Sequence, residues 1–183
     1  MKSLQGHLLI ASPQLVDPNF RQTVTLLVQH NEDGALGLVL NRPSQTRLAD
    51  AWAQVSSEAV GRDEMVHVGG PCQGPLMILH RDPMRSQIDV ADGICFSTDP
   101  DDVAWLVTQG TPPIKFFAGY AGWAAGQLEG EMKTGSWLLC PAATDHVFSD
   151  SPKLWANLLK AVSPMQPHPL MAPRVMPPDP SHN

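Results

Sequence analysis

Val24, Leu26 and Val28 recur with a period of two, and after the turn-forming stretch "NEDG" the same period returns in Leu36, Leu38 and Leu40. Two such runs separated by Asn, Asp and Gly predict a β-hairpin. Its far end is "NRP", where Pro43 has no N–H for a ladder hydrogen bond. The strand is therefore expected to stop there, leaving Asn41 and Arg42 to face a ligand.

Short apolar runs ahead of and behind the hairpin predict further strands in "GHLLIASP", "MVHVGGP", "PLMILHRD", "IDVADGICFST", "PIKFFAGY" and "SWLLCPA". Helical spacing replaces the strand period in three places. Leu48, Trp52 and Val55 share one side of a segment at 48–55, and Leu154, Leu158 and Val162 share one face of "SPKLWANLLKAV". The third segment, "TDPDDVAWLVTQG", carries a complete helix start: Asp99 to cap, Pro100 in the first turn, and Asp101 and Asp102 at the positive end. The sum is a single α+β domain, with a mixed, largely antiparallel sheet or barrel-like core flanked by helices, over residues 1–162. Residues 163–183 hold seven of the 18 prolines and no apolar period, so they are expected to form a Pro-rich tail, disordered or draped over a surface.

"GYAGWAAGQLEGEM" reads as a strand end running into a helix, with Gly122, Gly126 and Gly130 four residues apart. Each glycine inside a helix costs roughly 1 kcal/mol against alanine, so the bare strip needs a reason. Close packing against a neighbouring strand is the commoner one. The other is a ligand approaching the main chain: Gly119, Tyr120 and Gly122 lead into a helix start whose unpaired N–H groups would attract a phosphate or carboxylate. Tyr120 and Trp123 would then wall the site, and Gln127 and Glu131 would share a flank one turn apart while Leu128 and Met132 face inward.

Composition narrows the chemistry. Twelve basic residues against 18 acidic ones give a formal charge of −6, with the basic residues scattered, which disfavours direct nucleic-acid binding. The apolar run Leu8–Ala11 is too short for a signal segment, and no stretch is long enough to span a membrane. Cys72, Cys95 and Cys140 are odd in number and form no close pair, as expected of a cytoplasmic protein. No histidines stand at metal-ligand spacing, so neither a metal nor a cofactor is expected. Glu129 and His80 are the candidate acid and base if the chain is an enzyme acting on a phosphate- or carboxylate-bearing substrate.

Taken together, "GHLLIASP", "HNEDGALGLVLNRP", "VGGP", "GYAGWAAGQLEGEM" and "SWLLCPA" resemble, in this order, the AlgH/YqgE family of bacterial cytoplasmic proteins. The resemblance implies a compact α+β fold and a label of transcriptional regulator with no reaction attached. It also places Asn41, Arg42 and Pro43, the corner Gly69, Gly70 and Pro71, and Gly119, Tyr120, Gly122, Trp123, Gly126, Gln127 and Glu129 in the family's motifs. Cys72 stands where the family usually has a hydrophobic residue. "CQGPLMILH" lacks an arginine–glycine pair common in relatives, which leaves Arg42 as the basic candidate. The function expected is a non-enzymatic regulatory or ligand-binding protein, acting on transcription indirectly, with an unknown small ligand or protein partner. The tentative binding set is Asn41, Arg42, Gly69, Gly70, Pro71, Gly119, Tyr120, Gly122, Trp123, Gln127 and Glu129.

Overall fold

The structure, a computed structural model, describes residues 1–163, so the expectation for the Pro-rich tail lies outside the described residues. The predicted hairpin is present as β2 (Val24–Asn31) and β3 (Gly34–Val39). It sits inside a five-stranded antiparallel sheet, flanked by β1 (His7–Ala11) and β11 (Trp137–Pro141) on one side and β10 (Ala121–Ala124) on the other. A second sheet has six strands in the order β4 (Pro43–Arg47), β5 (Met65–Val68), β9 (Lys115–Ala118), β6 (Met77–His80), β8 (Ile94–Ser97) and β7 (Ile88–Ala91). Every pairing in it is antiparallel except β5 with β9. The domain is thus α+β with two mostly antiparallel sheets and no closed barrel.

Alternation along the strands builds the layers. Leu8, Ile10, Leu26 and Leu38 of the first sheet meet Met77, Leu79, Phe96 and Phe117 of the second in one core between the sheets. The opposite side chains of the first sheet, Leu9, Leu27, Ala121, Trp123 and Trp137, pack with Leu128 of α3 (Gln127–Lys133). Those of the second sheet, Val66, Ile78 and Phe116, are covered by α1 (Leu48–Ala53) and α2 (Pro100–Gln109). Asp99 caps α2 as expected, accepting the N–H groups of Asp101 and Asp102. A short α4 (Thr144–Val147) precedes α5 (Leu154–Val162), which closes one end of the inter-sheet core with Leu154, Leu158 and Val162.

Three local expectations need correction. Val55 is exposed, because α1 ends at Ala53 before its face comes round again. Pro43 does not end the sheet region but opens β4, an edge strand, which a residue without an N–H can do at a first position. The chain passes from β5 to β6 through the corner at Gly69–Pro71, and in the sheet β9 lies between these two strands.

The third concerns the glycine strip, which is not one helix. Gly122 lies in β10, opposite Leu36, and Gly126 has the left-handed backbone (φ 77°) that turns the chain into α3; only Gly130 is helical. A Cβ at Gly126 or Gly130 would meet nothing within 4 Å, and one at Gly122 would make only ordinary contact with the Tyr120 ring. Close packing therefore explains none of the three. Gly126→Ala should still destabilise the protein, by about 1–2 kcal/mol, because alanine resists the left-handed region. Gly130→Ala should stabilise it by up to about 1 kcal/mol. Denaturant unfolding of the two variants checks this opposition of sign, and equal responses would contradict it.

Candidate functional site

Most of the polar groups that the sequence singles out are committed to the fold. Asn41 accepts the Val24 N–H (2.9 Å) through Oδ1 and donates to the Gln22 carbonyl (2.9 Å) through Nδ2. The Arg42 guanidinium donates to the carbonyls of Pro18 and Arg21, both at 3.0 Å, and so pins the loop before β2. Gly69 and Gly70 do come together with Gly119 and Tyr120, but through backbone. Gly69 donates to Ala118, and Cys72 and Tyr120 exchange N–H to carbonyl bonds of 2.9 and 3.0 Å, while Pro71 is exposed at the corner. Gly119 and Tyr120 lead into β10 and not into the helix start on which the anion reading rested.

Trp123 faces the outer layer of the first sheet, where Glu131 Oε2 accepts the indole N–H groups of both Trp123 (2.9 Å) and Trp137 (2.8 Å). Gln127 accepts the Ala124 N–H and donates to Glu131 Oε1 at 3.4 Å, on the expected shared flank. Glu129 binds His30 at 2.7 Å. Because Leu4 donates its N–H to His30 Nδ1, the imidazole proton is on Nε2 and points at Glu129. The carboxyl of Glu129 is held below its ordinary range by its own backbone N–H and by His30.

His80 does not share a cleft with Glu129: it is buried in the second sheet, 1% exposed. Asp82 donates its N–H to His80 Nδ1 (3.1 Å), which puts the ring proton on Nε2, directed at Ser97 Oγ 2.9 Å away. Ser97 in turn donates to the Arg85 carbonyl. A general base must accept the hydroxyl proton, and here both protons run the other way. The Ser97–His80 pair is a structural bridge.

A further set of polar groups lies at the mouth of the inter-sheet core. A cleft of about 400 Å³ opens between the ends of β3, β5 and β9 and the segment 149–152, lined by Leu40, Asn41, Pro43, Glu64, Met65, His67, Lys115, Phe116 and Asp150 among others. Lys115 alternates with Phe116 along β9, so its side chain enters the space between the sheets, where it is 4% exposed. Its ammonium donates to the carbonyls of Ser149 (2.8 Å), Leu40 (3.2 Å) and Val147 (3.3 Å). Burial lowers its pKa to about 8, against a smaller opposing pull from Asp150.

His67 is on β5 directly beside Phe117, its ring 5.7 Å from the phenyl centroid. Burial, helped by the Lys115 charge, pushes it down to about 4, so it is neutral at physiological pH. Its Nδ1 is buried and makes no hydrogen bond. At the rim Glu64 binds Arg62 at 2.7 Å; burial raises its pKa, but Arg62 and its own backbone N–H outweigh this and hold the carboxyl low. Of the expected site residues only Asn41 borders this cleft. The sequence signal that could have marked it is the single lysine in the otherwise apolar "PIKFF" strand.

The buried lysine makes stability depend on pH in a defined direction. In the unfolded chain it titrates near 10.5 and in the folded one near 8, so between these values the unfolded state holds more protons. The lysine's contribution to stability should then rise from pH 8 to pH 10.5, by at most on the order of 3 kcal/mol, and be at its lowest below pH 8. Unfolding free energies of the wild type and Lys115→Met across this window isolate the effect. A constant difference between them would show that the ammonium is not desolvated.

Fold and site together define a two-sheet α+β domain with a ligand-sized cleft between its sheets. The AlgH-like family model matches residues 8–165. AlgH of Pseudomonas aeruginosa is 41% identical over 157 residues, 82% of this chain and 83% of that protein. A UPF0301 protein of Chlorobaculum tepidum is 36% identical over 163 residues, 85% of each chain. The solution structure of the Pseudomonas AlgH superimposes with a TM-score of 0.74 at 36% identity, covering 88% of this chain and 92% of that one. A crystal structure from Corynebacterium diphtheriae, 24% identical with a TM-score of 0.69 over 93% and 91% of the two chains, shares the fold. The chain belongs to the AlgH-like family of UPF0301 proteins.

Proposed function

We propose that this chain is a non-enzymatic ligand-binding protein of the bacterial cytoplasm, with a regulatory role that reaches transcription indirectly through a small ligand or a protein partner. The observation that carries the reading is the contrast between its polar groups. Glu129, Glu131, His80, Ser97 and Arg42 are each tied to an internal partner, whereas the cleft is bordered by the Lys115 ammonium, which among the described residues has no carboxylate within ion-pair distance, and by a buried His67 Nδ1 that makes no hydrogen bond. Binding needs such a pocket, and catalysis needs in addition an acid or base positioned to move a proton.

The formal charge of −6 argues against a phosphate-tracking surface and so for an indirect role. The free thiols of Cys72, Cys95 and Cys140 suit a reducing compartment, and among the described residues no helix is long and apolar enough to cross a membrane. A thermal-shift screen of the full chain against metabolites tests the binding half: at least one small molecule should raise the melting temperature. Electrophoretic assays with genomic DNA fragments test the other half, and sequence-specific retention that survives moderate salt would overturn the indirect role.

A further inference from the structure

The cleft between the sheets is electrically graded. At its inner end lies the Lys115 ammonium, and among the described residues no carboxylate comes within ion-pair distance of it. Three carbonyl oxygens satisfy its hydrogens without cancelling its charge, and a buried charge lacking a counter-charge is costly. Beside it the Nδ1 of His67 is buried and makes no hydrogen bond, and a neutral imidazole that turns to the cleft with its proton there would donate to an oxygen anion. At the outer end the signs reverse. Asp150 is exposed at the rim, and Glu64, already neutralised in part by Arg62, also borders the cleft.

A simple anion entering this cleft would meet the rim carboxylates, and a simple amine would meet the ammonium. A molecule with a carboxylate at one end and an ammonium at the other meets opposite charge at both. Part of the remaining wall is apolar, from Leu40, Pro43 and Met65, and the volume of about 400 Å³ is near the lower end of ligand pockets. Taking the cleft as the ligand site, as above, we propose that it binds a small zwitterion of the free α-amino acid class. The carboxylate faces Lys115 and His67, the ammonium faces Asp150, and an apolar side chain lies against Pro43 and Met65.

Calorimetric titration of the full chain with free L-leucine, L-methionine and L-phenylalanine, each compared with its N-acetyl and methyl ester forms, tests this. A free amino acid should bind about tenfold more tightly than either blocked form, a difference of about 1.4 kcal/mol. Asp150→Asn, at an exposed position where the fold is not at stake, should weaken the free form by up to about fivefold, as expected for a rim charge, and leave the N-acetyl form unchanged. No binding by any free amino acid, or an N-acetyl form that binds as tightly, would overturn the inference. The metabolite screen separates its failure from that of the broader reading. A ligand of another class in the cleft removes only the amino-acid assignment, whereas a screen in which nothing binds removes both.

Discussion

Gly70→Ala is expected to be among the most damaging single-methyl changes in this protein. A Cβ at Gly70 would overlap the carbonyl group of Tyr120 and the amide nitrogen of Ala121, all of them backbone. The facing glycine leaves no slack, because a Cβ on Gly119 would sit 2.7 Å from the Gly70 carbonyl and 3.0 Å from that of Cys72. The neighbouring bridge between Cys72 and Tyr120 fixes the separation of the two chains. A flexible side chain could yield here, but main chain in a bonded seam cannot. Overpacking typically costs 1–3 kcal/mol, so with a rigid neighbour the loss should reach at least about 3 kcal/mol. Chemical denaturation measures it, and Gly61→Ala, where the added Cβ meets nothing within 4 Å, serves as the control. A loss below about 1 kcal/mol at Gly70 would mean that the seam opens easily.

Glu131→Ala should cost a similar amount for a different reason. One carboxylate oxygen accepts both indole N–H groups, from rings that are 5% and 3% exposed and meet edge to face at 6.3 Å, with Phe20 against both. Removing the carboxylate leaves two buried donors without an acceptor, each worth about 1–3 kcal/mol, so a total of about 2–5 kcal/mol is expected. Glu131→Gln keeps one oxygen that can take both protons and should lose markedly less. Unfolding monitored by tryptophan fluorescence reads both variants, and equal losses would assign the effect to charge rather than to the two hydrogen bonds.

The hairpin at Val24–Val39, the capped helix at Pro100 and the face of α5 were legible because local periodicity and end signals act within a few residues. The insertion of β9 between β5 and β6 was not, since strand order is fixed by contacts between residues far apart in the chain. At the glycine strip the spacing matched a helix, while the backbone required a strand, a left-handed turn and only then seven helical residues. Periodicity reports which side chains share a face, not whether a glycine is present for its missing side chain or for its permitted φ.

The site was legible in part. Gly69, Gly70, Gly119 and Tyr120 do converge, through backbone contacts with one another. Arg42 has the charge suited to an anion, yet two carbonyls from the loop before β2 occupy its guanidinium. His67 and Lys115 are brought together by the parallel pairing of β5 with β9, and Asp150 arrives from a segment after β11. Nothing local in the sequence marks three residues from three places as one cleft.

The reading that this protein acts through its inter-sheet cleft is tested most directly at His67, whose buried Nδ1 has no protein partner. Ring-nitrogen NMR of the histidine-labelled full chain should be followed while adding whichever metabolite raises its melting temperature. The His67 ring signals should move to a saturable limit, with those of His30 and His80, held by Glu129 and Ser97, unchanged. A ligand that saturates the protein, shifts the backbone amides of Gly119 to Glu129 and leaves the His67 ring untouched would contradict the account.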